Sequence, residues 1–229
     1  MKINDTLFII PARGGSKGLL RKNILLISHK PMIYFTIDAA RGVSNSENIC
    51  ISTDDIEIKK LVEDYDLNIP FLRPSSLASD TSGTREVLLH AIDFYEKKND
   101  RIFSKICLLQ PTSPFRTSHH IDEAHQLWED TLDMVVSVKE SKQNPHTLNI
   151  ENKNGFLDNI KKNSYTRRQD FPKFWQYNGA IYFINIQSLK NKPINEFEKV
   201  KKYVMNDKDS LDVDTQLDLD LVRLIHNKK

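Results

Sequence analysis

The chain of 229 residues has almost no excess charge, two cysteines and no long apolar run. Each shortage removes a class of function. A formal net charge of +2 leaves no dense basic face of the kind that grips a duplex, so no nucleic-acid partner is expected. No apolar run approaches the roughly 20 residues that span a bilayer, so no membrane association is expected. The first residues, MKINDTLFIIPARGG, lack a signal-peptide layout, because Asp5 interrupts them and their apolar part is short. A cytoplasmic location is the expectation. Cys50 and Cys107 lie in the apolar runs NICIST and KICLLQ and read as buried free thiols. No Cys/His spacing suits zinc, and the seven histidines show no converging pattern. There is neither an internal repeat nor a low-complexity linker.

What is present is a rhythm. Short apolar runs at 6–12, 47–53, 105–111 and 133–140 alternate with amphipathic stretches at 31–43, 54–66, 84–98 and 118–130. Asp54 or Asp55 suits the cap of the second helix, Thr84 that of the third, and Gly42 the end of the first. Strands alternating with helices predict an α/β fold, Rossmann-like and doubly wound, with a mostly parallel sheet. After residue 140 the rhythm breaks. Two short strands around Asn154-Gly155 are expected, then an aromatic and basic stretch, a strand in GAIYFI, a late strand within 198–207 and a final helix capped by Thr215. Residues of about 141–178 read as an insertion that packs elsewhere.

Ligands of parallel sheets bind beyond the carboxyl ends of the strands. The first such loop, PARGGSKGLLRKN, has neither the Walker A spacing nor the dinucleotide G-x-G-x-x-G. It pairs two glycines with Arg13, Lys17, Arg21 and Lys22, a combination that suits phosphate: backbone amides form a nest and the cations neutralise charge. In LDVDT, Asp212 and Asp214 alternate onto one face if the segment is extended. Two such carboxylates repel unless a cation separates them, which suits magnesium; the alternative is one helix cap and one solvated side chain. QPTSPFR supplies Gln110, Thr112 and Ser113, uncharged groups fit for hydroxyl or base recognition, or else a plain turn. Arg167 and Arg168 are a carboxylate clamp or mere surface.

Taken in one order, IPARGGSKGLLRKN, STDD, LRPSSLASDTSGT, LLQPTSPFR, RQ…NGAIY and DSLDVDTQLDLDL resemble the acylneuraminate cytidylyltransferases, from residue 6 to about 225. The resemblance implies a single nucleotidyltransferase domain over 1–229. It implies a reaction of CTP with a nine-carbon 2-keto sugar acid that yields the CMP-sugar and pyrophosphate, with Mg2+ as cofactor. It also implies a homodimer, with the 141–178 insertion used for dimerisation. It assigns Arg13, Ser16, Lys17, Lys22 and Asn23 to the triphosphate and Arg73, Ser82 and Thr84 to the base. Gln110 falls at the junction, Thr112, Ser113, Arg168, Gln176, Asn178 and Tyr182 around the sugar, and Asp212 and Asp214 on the metal. Two positions depart from the family pattern: His146 stands where many members have a lysine, and Gln176 where some have a basic residue. Both fall where the sugar acid would sit, so N-acetylneuraminate and related nonulosonates remain open. A ketodeoxyoctonate enzyme, another sugar nucleotidyltransferase and a non-catalytic nucleotide-binding module are the alternatives.

Overall fold

The computed structural model describes residues 2–15, 18–79, 82–99, 102–160 and 171–228. The alternation becomes a six-stranded sheet made of β1 (Thr6–Pro11), β4 (Ile49–Ser52), β5 (Lys105–Leu108), β6 (Met134–Glu140), β9 (Trp175–Asn185) and β10 (Val200–Val204). Its order is β10-β6-β9-β5-β1-β4. β1 pairs in parallel with β4 and β5, and β10 with β6; β9 runs antiparallel to both β5 and β6. The expected mostly parallel sheet is therefore present, with one reversed strand inside it.

Successive side chains of β1 point to opposite faces, and both faces are covered. Phe8 and Ile10 pack under α1 (Met32–Val43), α2 (Ile56–Glu63) and α4 (Ser118–Gln126). Leu7 and Ile9 pack under α3 (Thr84–Asn99) and α5 (Ile186–Asn191). Full burial of each such aliphatic or aromatic side chain stabilises the fold by about 1.5–3 kcal/mol, which is why the strands read as unbroken apolar runs. A third cluster joins α6 (Gln216–His226) to the β2 (Leu26–Ile27) and β3 (Lys30–Pro31) hairpin through Ile27, Phe115, Val213, Leu219 and Val222.

Asp55 caps α2, its carboxylate accepting from the amides of Glu57 and Ile58 at 2.7 and 3.2 Å. Thr215 caps α6 in a reciprocal box with Asp218. α3 begins at Thr84 itself. Gly42 has a different role from the one expected. α1 ends at Val43 with Ser44 extended, and Gly42 lies in its last turn. A Cβ there would come within 2.4 Å of Ser118 Cβ. Glycine is thus demanded by the close approach of α1 and α4.

β7 (Asn149–Glu151) and β8 (Leu157–Asn159) form their own antiparallel ribbon. Its turn is longer than two residues: Asn152 accepts from the amides of Asn154 and Phe156, and Gly155 takes φ +80°. The expected insertion overlaps the main sheet at its end, since Trp175 to Asn178 already belong to β9. Among the described residues of the insertion, 141–160 and 171–174 lie outside the main sheet.

Candidate active site

The loops after β1 and β5, the segment between α2 and α3 and the segment before α6 meet around one cavity of about 590 Å3. Arg13, Lys22, Asn23, Arg73, Ser82, Thr84, Gln110, Thr112, Asp212 and Asp214 all line it. Ser16, Lys17 and Arg168 lie outside the described residues.

The first loop is fastened from three sides. Asp54 accepts from the Gly14 amide at 3.1 Å, and a Cβ on Gly14 would collide with Asp55, 2.4 Å from its Oδ2. Arg21, in the left-handed region at φ 56°, donates to Asp55 at 3.1 Å and also pairs with Glu57. Its charge therefore ties the loop to α2. Asn23 donates to the Arg13 carbonyl at 3.0 Å. Lys22 reaches across the fold, its Nζ 2.7 Å from Asp214 Oδ1. A Cβ on Gly18 would lie 2.6 Å from the Asp214 carbonyl oxygen. The two ends of the chain thus share one site, as the acidic pair and the cationic loop require.

Arg73 is buried beneath the mouth of the cavity. Its Nε donates to Ser52 Oγ at 3.0 Å, and Nη2 to the Ser52 carbonyl. Burial lowers its pKa, and the neighbouring Arg13 charge adds to that. Two guanidinium groups in one hollow repel each other and favour a polyanion between them. Leu77, Val87 and Leu88 supply an apolar wall beside Ser79, Ser82 and Thr84.

The two carboxylates differ in environment. Asp214 is exposed and paired with Lys22. Asp212 is part-buried, and its Oδ1 has no hydrogen-bond partner among the described residues. Burial raises its pKa above the ordinary value; the Thr112 hydroxyl opposes that, Asp214 adds to it, and Lys22 opposes it. The Val213 amide, between them, donates to the Thr112 carbonyl at 2.9 Å and fixes the segment against the loop after β5.

The remaining expected residues divide. Tyr182 lies near Asp212: burial and that charge push its phenol up to about 12. It meets Tyr177 edge to face at 6.1 Å. Asn178 is buried, and its groups are engaged internally. Its Oδ1 accepts from Ser137 at 2.6 Å and its Nδ2 donates to Ser210 at 2.9 Å. It therefore braces the site. Ser113 is buried and Gln176 sits opposite Lys139 in the sheet; neither lines the cavity. His146 stacks on Phe171 at 5.3 Å, at the base of the insertion.

Gly179 was not among the expected residues. It takes φ +78°, and a Cβ there would lie 2.6 Å from Gln110 Oε1 and 3.6 Å from Asp212 Oδ2. The signal was the Asn-Gly pair inside an apolar strand, which marks an irregularity. Here β9 slips its register against Val136 and Val138. Asp54 was expected only as an alternative cap of α2 and as part of STDD; the cap is Asp55, and Asp54 holds the Gly14 amide instead.

The Cytidylyltransferase family model matches residues 7–227. The chain belongs to the cytidylyltransferase family. It is 34% identical over 226 residues to an N-acylneuraminate cytidylyltransferase of Escherichia coli, covering 96% of this chain and 52% of that one. The chain thus spans about half the length of that curated relative. A CMP-N,N'-diacetyllegionaminic acid synthase of Legionella pneumophila is 34% identical over 217 residues, with 93% and 92% covered. Among solved structures, a CMP:2-keto-3-deoxy-manno-octonic acid synthetase complexed with CTP superposes with TM-score 0.69 at 18% identity, covering 97% of this chain and 98% of that one. At that identity the likeness bears on fold alone. It shows that this chain shares the mostly parallel α/β fold of that structure. No helix among the described residues is long and apolar enough to cross a membrane.

Proposed function

We propose that this protein transfers the cytidylyl group of CTP to the anomeric hydroxyl of a nine-carbon 2-keto sugar acid. The hydroxyl oxygen bonds to the α-phosphorus, the bond from that phosphorus to the bridging oxygen breaks, and pyrophosphate leaves. The hydroxyl proton is released to solvent. The observation that carries the reading is the meeting of Lys22 with Asp214 in a cavity also lined by Arg13, Arg73 and Asp212.

Arg13 and Lys22 suit the triphosphate and the charge that develops on pyrophosphate. Arg73, Ser82 and Thr84 stand where polar groups meet an apolar wall, as a base requires. Gln110 and Tyr182 suit the acceptor. Catalysis on such a site is mostly alignment and charge neutralisation.

The donor set fits magnesium, although no group of three or more His, Cys, Asp or Glu side chains that could hold a metal occurs among the described residues. Asp212 Oδ1 is a buried, unpartnered oxygen beside a second carboxylate, the remaining positions being suited to phosphate and water. Bound there, the ion would polarise the phosphate and lower the pKa of a coordinated hydroxyl. Asp212 and Asp214 would hold it.

A homodimer belongs to this reading. Ile150, Phe156 and Leu157 of the β7–β8 ribbon are exposed, and a second copy of the chain would cover them. CTP as substrate and two buried free thiols, Cys50 and Cys107, suit a cytoplasmic enzyme.

The decisive experiment measures pyrophosphate release from CTP and Mg2+ with N-acetylneuraminate, legionaminate, ketodeoxynononate and ketodeoxyoctonate. Turnover with a nonulosonate is expected, and Arg13→Ala should lower it at least about tenfold with folding intact. CTP binding without release, for every acid, would refute the reading. Sedimentation of the purified chain tests the dimer.

A further inference from the structure

A cation that the reaction leaves unused lies behind the acceptor end of the cavity. Arg116 is fully buried, one of the largest side chains so enclosed. Its Nη1 donates to two carbonyl oxygens, that of Gln110 at 3.0 Å and that of Ala180 at 3.1 Å. Its Nε and Nη2 have no hydrogen-bond partner, and no carboxylate pairs with it among the described residues. Burial lowers its pKa to about 10. A buried charge without a counter-charge is costly, and an apolar side chain of similar volume often packs in such a place with no loss of stability.

The two carbonyls are well chosen. Gln110 begins the loop that leaves β5 for the cavity, and Ala180 follows Gly179 in β9. Between them, Gly179 abuts the Gln110 side-chain oxygen and faces Asp212. One nitrogen shared by both carbonyls fixes how far the Gln110 loop stands from the Gly179–Ala180 turn. A charged donor makes those bonds stronger than a neutral one would.

We infer that Arg116 is a positioning residue for the acceptor half of the site. It touches no substrate. It holds Gln110 against Gly179, and so holds the acceptor's place relative to Asp212. The inference rests on the proposed assignment of Gln110 to the nucleotide–acceptor junction.

Two variants test it. Arg116→Met removes charge and donor at similar length; Arg116→Lys keeps a charge and one donating nitrogen, all that the two carbonyls use. For Arg116→Met we expect thermal stability no lower than the original protein's and CTP affinity within about twofold. Its kcat/KM for the sugar acid should fall at least about tenfold, because small misplacements of reacting groups are costly. Arg116→Lys should recover to within about threefold of the original. A methionine variant with unchanged acceptor kinetics overturns the inference, and so does a parallel loss of CTP affinity. If Arg116→Met does not fold, Arg116→Gln carries the same comparison; failure of all three variants to fold assigns Arg116 to folding alone and overturns the inference. The failure of the proposed function looks different: the unaltered protein would bind CTP and release no pyrophosphate with any acid.

Discussion

On the side of the cavity proposed for the triphosphate, the cations are Lys22, Arg13 and Arg73, and the loop that carries Arg13 and Lys22 is tied down by ion pairs. Arg21 is anchored to Asp55 and Lys22 rests on Asp214. On the acceptor side the groups facing the cavity are largely uncharged. Gln110 is set by a glycine at φ +78° and by one buried guanidinium behind it. The difference follows from distance dependence. Coulomb attraction falls slowly with separation, so cations on a loop can hold a triphosphate through small displacements. Attack of a hydroxyl on phosphorus has no such tolerance, and packing and strained backbone supply the rigidity.

The sharpest way to break this contrast is at the point where the halves meet. Asp212→Asn is expected to lower turnover by about a hundredfold or more, since it removes the unpartnered oxygen. It should not destabilise the fold at neutral pH. Burial raises the Asp212 pKa, so the folded state holds that proton more tightly than the unfolded one. The associated stability is present below the ordinary carboxylate pKa and is lost as pH rises through the raised value. Melting curves between about pH 4 and 8 should therefore show the asparagine variant gaining on the original protein as pH rises. A variant that melts lower at neutral pH while turning over normally would reverse the assignment.

Lys22→Ala comes next, acting on the charged side. CTP affinity should weaken by about ten- to thirtyfold, roughly 1.4–2 kcal/mol, with thermal stability little changed, because its ion pair with an exposed Asp214 contributes under about 1 kcal/mol. Isothermal titration with CTP measures this directly; equal affinity for both proteins would remove Lys22 from the phosphate site.

Gly179→Ala probes the rigid side. The added Cβ meets Gln110 Oε1 at 2.6 Å, on a backbone with φ +78°. About 1–3 kcal/mol of stability and roughly tenfold in acceptor kcat/KM should be lost, with CTP affinity retained. Calorimetric melting and steady-state kinetics read both, and an unchanged acceptor KM and kcat would show that the contact is irrelevant to alignment. The smallest effect is expected from Arg21→Ala. Its guanidinium is already engaged with Asp55 and Glu57, so turnover should stay within about threefold and stability within about 1 kcal/mol. A loss as large as that of Lys22→Ala would place Arg21 on the phosphate.

Much of this was legible in the chain. The periodicity located β1, α1, α2, α3 and α6 to within a few residues, because each buries an apolar face whose spacing reports its geometry. The place of the first loop at the cavity was legible for a related reason: glycines beside clustered cations are uncommon away from anions. The direction of β9 was not legible, since alternation is the same for either direction. Asn178 read as a ligand group because its partners, Ser137 and Ser210, are distant in sequence. Arg116 was invisible as a buried group because arginine is rarely enclosed without a counter-charge. Gly42 read as a helix stop because nothing nearby in sequence announces the approach of Ser118.

The reversed strand has a consequence for how such an enzyme can diversify. A chain leaving β6 emerges at the rim above the cavity. Because β9 runs backward, the chain re-enters the sheet at that same rim. The two ends of whatever lies between β6 and β9 are therefore held together at that end of the sheet. Neither its length nor its internal structure disturbs the strand pairing below. Variation in that segment leaves in place the strands from which the loops at the cavity depart.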